Sequence, residues 1–173
     1  DTIHGLVVSS NSSENLLTVA AGLSIAGTGS IAGSAVVNVL TETTQAYIED
    51  AMVNGDNIGA SSTQGGYVLA ADETDFTTVV GTGTFGGKAG VGFGADVAVL
   101  TKNTQAWISG NLAFVDDLSL KAVSREDVFS VVGNITLGGY AGMAGSAGVY
   151  VVTTKTKAYL KSGTILKVGG NAL

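Results

Sequence analysis

Three phrases constrain this chain more than any other feature. Val39–Ile48 reads VLTETTQAYI, Val99–Ile108 reads VLTKNTQAWI, and Val151–Leu160 reads VVTTKTKAYL. The match extends upstream. With Val19, Val79 and Val131 aligned, each copy runs without a gap to Thr41, Thr101 or Thr153. Gly27 then falls with Gly87 and Gly139, Val37 with Val97 and Val149, and Ala46 with Ala106 and Ala158. Tyr47, Trp107 and Tyr159 share one aromatic position. The copies are offset by 60 and then 52 residues, and the difference falls in connectors such as GASSTQGGYVLAADETD, Gly59–Asp75. A constant block with variable connectors is the mark of a stacked structural unit with surface loops.

Inside the block the apolar period is two. Val19, Ala21, Leu23, Ile25, Ile31, Ala35, Val37 and Val39 alternate with Thr18, Ser24, Ser30, Ser34 and Asn38. The second copy gives Val79, Phe85, Val91, Phe93, Val97 and Val99; the third gives Val131, Ile135, Leu137, Met143, Val149 and Val151. Such alternation predicts strands with these apolar residues on the buried face. The chain has 26 Gly, no Pro and no Cys. Glycine-rich AGTG, GGKA and GGYA (from Ala26, Gly86 and Gly138) predict a turn in each copy. The Thr-rich TETT, TKNT and TTKT predict a second corner, after which the apolar parity flips to Ala46 and Ile48. NGDNI, VDDLSL and KSGTIL predict a third turn. Each copy is thus expected to hold four or five short strands, wound into two or three coils of roughly 18–22 residues.

These signals predict an all-β chain: a β-solenoid, read as a right-handed parallel β-helix of three repeats of 52–60 residues, over 1–55, 56–115 and 116–173. Small inward residues suit a narrow coil, and the absence of Pro suits an uninterrupted ladder. An antiparallel β-barrel or sandwich of hairpins would share the alternation and stays open as the alternative.

The phrases VVGNITLGGYAGMAGSAGVYVVTTKTKAYL and TVAAGLSIAGTGSIAGSAVVNVLTETTQAYI resemble the repeats of filamentous haemagglutinin-like and leukotoxin-type surface adhesins of Gram-negative bacteria. The resemblance runs through all three blocks. It implies a secreted or surface-displayed β-helical passenger with roles in adhesion, aggregation or toxicity, and it offers no catalytic residues to carry over. DTI at the start resembles DNI and DDL, and GTILKVGGNAL resembles the opening of another unit. The chain therefore reads as a fragment, a processed subunit or one block of a filament, with copies of itself or flanking repeats as partners.

Chemistry is sparse. The net charge is −6 with 8 basic residues and no basic stripe, which speaks against nucleic acid and against an electrostatic membrane anchor. No apolar run is long enough for a transmembrane helix. Gly81–Gly86 fits G-x-G-x-x-G but lies in an alternating strand pattern rather than before a helix. GFGADVA (Gly92–Ala98) fits part of a calcium-binding nonapeptide, yet Val36 and Gly148 stand at the Asp96 position of the other copies, so Asp96 is expected as a lone outward acid. His4 is the only histidine and has no Cys or second His to complete a zinc site. The acidic pairs Glu49-Asp50, Asp72-Glu73, Asp116-Asp117 and Glu126-Asp127 are expected in connectors or corners, and Arg125 is the sole arginine. The reading is a non-enzymatic structural or adhesive protein with no catalytic residue, cofactor or metal. A carbohydrate- or host-surface-binding module is the alternative, with Tyr47, Trp107 and Tyr159 as its surface row. A polysaccharide-active enzyme ranks below both.

Overall fold

The computed structural model describes residues 4–55 and 58–173; the opening DTI and two residues of NGDNI lie outside them. Seven strands follow in order: β1 (Gly5–Ala26), β2 (Gly29–Val53), β3 (Gly65–Gly86), β4 (Ala89–Phe114), β5 (Leu118–Gly138), β6 (Ala141–Leu160) and β7 (Ile165–Val168). No helix occurs among the described residues. One sheet has the order β1-β3-β5 and the other β2-β4-β6, with β7 beside the end of β4. Every ladder is parallel and neither sheet closes into a barrel, so the antiparallel alternative is overturned.

The sequence offsets reappear as backbone pairing. β1 and β3 pair from Gly5↔Gly65 to Ala26↔Gly86 without a slip, and β3 and β5 from Gly66↔Leu118 to Gly86↔Gly138. β2 and β4 pair just as evenly except between Ile48 and Ala51, where β2 carries an irregularity and Asp50 has φ 49°. Each copy thus contributes one long strand to each sheet, forming one layer: β1–β2, then β3–β4, then β5–β6, the third adding the short β7 beside the end of β4.

The expectation of four or five short strands per copy is corrected to two long ones. The Gly-rich turn forms where expected, at Gly27-Thr28, Gly87-Lys88 and Gly139-Tyr140. The Thr-rich corner does not form. Thr41, Thr101 and Thr153 lie inside β2, β4 and β6. Thr is β-branched and at home in an extended strand, and nothing in these phrases forces a change of direction.

A larger correction concerns the faces. The odd-numbered apolar residues expected inside point outward: Leu23 is 69% exposed, Ile31 73% and Val37 70%. The even-numbered neighbours face the gap between the sheets along β1, β3 and β4 and along β2 as far as Ile48; past the irregularity at Asp50, Ala51 and Val53 face inward instead. The parity flip at the Thr-rich phrase is therefore no corner. The strand keeps its alternation, and the chemistry of its two faces is exchanged.

Each layer has two unlike halves. At the base, Val68, Ala70, Ala106, Ile108, Leu112, Phe114 and Leu118 form a buried apolar core. A charged layer follows, then a small apolar cluster of Phe76, Ala98 and Leu100. From there to the Gly-rich turns the interior is mainly small and polar. Ser34 donates to the Gly81 carbonyl at 3.1 Å, Thr84 to Thr136 at 3.0 Å, and the Asn134 amide to the Gly145 carbonyl at 2.6 Å. Glycines let the sheets close on one another here. A Cβ on Gly22 would lie 2.7 Å from the Gly33 carbonyl oxygen of the facing sheet, and one on Gly92 2.9 Å from Thr136 Oγ1.

Gly92→Val is expected to lower stability by about 1–3 kcal/mol through overpacking of this gap. Gly133→Val places its side chain outward, where an added Cβ meets nothing within 4 Å, and should stay near the parent. Urea midpoints measure both; equal midpoints would refute the close approach of the sheets.

Candidate functional site

The in-register ladder brings Tyr47, Trp107 and Tyr159 together on the outer face of the β2-β4-β6 sheet. Tyr47 and Trp107 are 4.3 Å apart between centroids with planes 1° from parallel; Trp107 and Tyr159 are 6.1 Å apart at 19°. Lys161 lies 5.2 Å over the Trp107 ring and pairs with Glu49. The rings stack like coins along the layer axis, so each covers the faces of its neighbour. Trp107 is buried between the tyrosines, while Tyr47 remains half exposed. A sugar ring needs an open aromatic face. Within this row such a face lies on the side of Tyr47 turned away from Trp107.

The charged layer was not visible in the sequence reading. Asp72 and Lys102 point inward from facing strands and form an ion pair with both side chains fully buried. Lys102 also reaches Glu42 at 3.2 Å and donates to Thr74. Thr44 and Thr104 donate to Asp72 at 3.3 and 3.4 Å. Glu14 accepts from Ser12 and Thr74. The Asp72-Glu73 and Glu126-Asp127 pairs, expected in connectors or corners, lie within β3 and β5, and Glu49-Asp50 lies within β2; Asp116-Asp117 is in a connector. The signal that would have found the layer is the inward column Glu42, Lys102, Thr154, facing the column Ser12, Asp72, Ser124.

Oxygen atoms of Glu14, Glu42 and Asp72 come within 4.8 Å of one another, a spacing that could hold a cation. The Lys102 ammonium already contacts two of the three carboxylates. Burial raises the pKa of Glu42, and a hydrogen bond shared with Glu14 raises it further, outweighing the pull of Lys102. Burial also opposes ionisation of Glu14, but hydrogen bonds from Ser12, Glu42 and Thr74 and the charge of Lys102 hold its pKa below the ordinary value. Burial disfavours the Lys102 cation, yet Asp72 and Glu42 together keep its pKa above the usual lysine value.

Asp96, expected as an outward acid, is fully buried in the gap and accepts hydrogen bonds from Ser130 and Tyr150, both at 2.7 Å. The reason is the same exchange of faces: even positions face inward here. Gly81–Gly86 lies within β3, with no helix after it, and His4 is exposed just before β1. Asn11-Ser12-Ser13 and Asn134-Ile135-Thr136, which match the N-glycosylation acceptor pattern, lie within β1 and β5.

No protein-family model, no curated protein and no solved structure matches this chain.

Lys102→Met should cost about 3–5 kcal/mol, because it strands the Asp72 carboxylate in the interior. A folded-state pKa above the free value means that folding favours the charged lysine. That stability is complete below the free-lysine pKa and is lost as pH rises through the raised one. Urea midpoints from neutral to strongly alkaline pH should fall more steeply in the parent than in Lys102→Met. Parallel curves would show that Lys102 carries no pH-linked stability.

Proposed function

We propose that this chain is a β-solenoid section, a non-enzymatic structural and adhesive shaft displayed outside a bacterial cell, which stacks end to end with like units. Each layer is one turn of a flattened coil, taken as right-handed by the general rule for parallel crossovers. The supporting observation is a glycine. A Cβ on Gly139 would lie 2.4 Å from the Gly87 carbonyl oxygen, and one on Gly87 2.0 Å from the Gly27 carbonyl oxygen. Each layer must have Gly at this position because the turn before it lies directly beneath. Gly27 keeps the same residue, yet an added Cβ there meets nothing within 4 Å. A further layer beneath the first would supply the missing constraint. The unpaired edges of β1 and β2 offer the backbone groups to receive it.

The resemblance to bacterial adhesin repeats supports the same reading of context. Self-stacking predicts that the scattered-light mass of the parent grows with concentration and that electron micrographs show rods. Gly27→Val should fold normally and remain monomeric. A parent that is strictly monomeric at high concentration, or a Gly27→Val variant that assembles equally well, counts against stacking.

The uncovered side of Tyr47 favours a second reading, a carbohydrate- or host-surface-binding module on the aromatic row. A glycan array would then show binding by the parent that is lost in Tyr47→Ala. No binding by the parent removes this reading.

A further inference from the structure

The outward apolar residues form a belt. In the first layer the outward side chains from Leu17 to Ile25 and from Ile31 to Val39 are all apolar or Gly. The second layer repeats the belt from Val79 to Phe85 and from Val91 to Val99, and the third from Phe129 to Leu137 and from Met143 to Val151. No charged side chain points outward within it. Beyond it stand Asn15, Asp75 and Asp127 on one sheet, where Thr77 sets the border of β3 one outward position further in, and Thr41, Thr101 and Thr153 on the other, where the border is level. The belt covers both outer faces of the molecule at once.

The belt spans eight residue steps, about 26 Å, on every strand but β3, where Thr77 shortens it to six steps, about 20 Å. The hydrocarbon layer of a bilayer is about 30 Å thick, and the apolar band of outer-membrane barrels is about 25 Å tall. The interior behind the belt is narrow: Ser34, Thr82, Thr84 and Asn134 hydrogen-bond there among the small apolar Ala32, Val36 and Val80, so that the larger apolar side chains lie outside and most of the polar ones inside, as in strands that adopt an apolar-out arrangement in lipid. Beyond the belt the turns carry Thr28, Lys88 and Tyr140. A lysine that extends to water and a tyrosine at the interface suit the far side of such a layer.

From this geometry we infer that the Gly-rich-turn half of the molecule is a lipid-facing end that enters a bilayer through its apolar belt. A second copy fits the belt less well. Three strands spaced about 4.8 Å apart present roughly 400 Å² on each face, half of the ~800 Å² that each partner buries in a stable pair. Such a pair would also leave the opposite apolar face in water, whereas a bilayer covers both. The net charge of −6 with few basic residues makes the attraction apolar rather than electrostatic, so neutral lipid suffices. In lipid the unpaired edges of the outer layers would be costly. Stacking of like units removes them, and in that respect the inference rests on the stacking reading.

The chain has no cysteine, so a single introduced cysteine takes a unique label. Leu23→Cys and Val37→Cys within the belt, and Asn103→Cys outside it, are labelled with an environment-sensitive nitrobenzoxadiazole dye. They are then mixed with vesicles of neutral palmitoyl-oleoyl phosphatidylcholine. Labels at 23 and 37 should brighten several-fold with a blue shift and be quenched by brominated lipid; the label at 103 should not change. A Val37→Asp/Val97→Asp variant, checked for retained β-structure by circular dichroism, should lose vesicle flotation. No lipid-dependent change at 23 and 37, or an equal change at 103, overturns the inference. Brightening that follows protein concentration without vesicles also overturns it, in favour of a second copy. Light scattering of the same samples separates the two readings. Stacking without a lipid response defeats only the bilayer, and a lipid response from monomers defeats only stacking.

Discussion

Along most of β3 and β4, each residue is paired through its backbone with the homologous residue of the layer on either side. This in-register parallel ladder sets what every side chain meets. A residue at one position stacks on its own counterparts, so the sequence must be acceptable to itself at about 4.8 Å spacing. Flat rings satisfy this by stacking, as Tyr47, Trp107 and Tyr159 do. The turns satisfy it with Gly, because any Cβ at Gly87 or Gly139 would strike the turn beneath.

Charge obeys the same rule inside the molecule. Two like charges one layer apart would repel by about 3–4 kcal/mol at an effective dielectric constant of 20. The inward columns avoid this: Glu14 is followed by Thr74 and Glu126, Glu42 by Lys102 and Thr154, and Ser12 by Asp72 and Ser124. Outside, Asp75 and Asp127 sit side by side, where water and salt screen them. The Lys102 layer also divides the interior. On one side lies the apolar core; on the other, beyond Phe76 and Leu100, lies the polar gap closed by glycines. One half of the molecule buries its apolar side chains between the sheets. The other half has its larger apolar side chains outside.

The turns, the strand character and the register of the copies were legible because each depends on local chemistry or on direct self-comparison. Gly-rich phrases turn the chain, β-branched and alternating residues extend it, and homologous positions pair. The aromatic row was legible for the same reason. The charged layer was hidden because Asp72 and Lys102 are remote in sequence and meet only across the gap. Asp96 was hidden because its strand was assigned the opposite faces. Period two says that a strand has an apolar side, but it is silent on whether water lies on that side.

The sequence by itself therefore determined that this chain is a threefold repeat of strand-forming units with Gly-rich turns, aligned at offsets of 60 and 52 residues. Only the tertiary structure decided that each unit is two long strands, and that the apolar side of the Gly-rich half faces outward. The physical reason is the distance between the sheets. Glycines facing each other across the gap bring the backbones so close that only small side chains fit between them. Thr, Ser, Asn, Ala and an occasional Val fill that space, and Leu, Ile, Phe and most Val of this half are left on the outer surface.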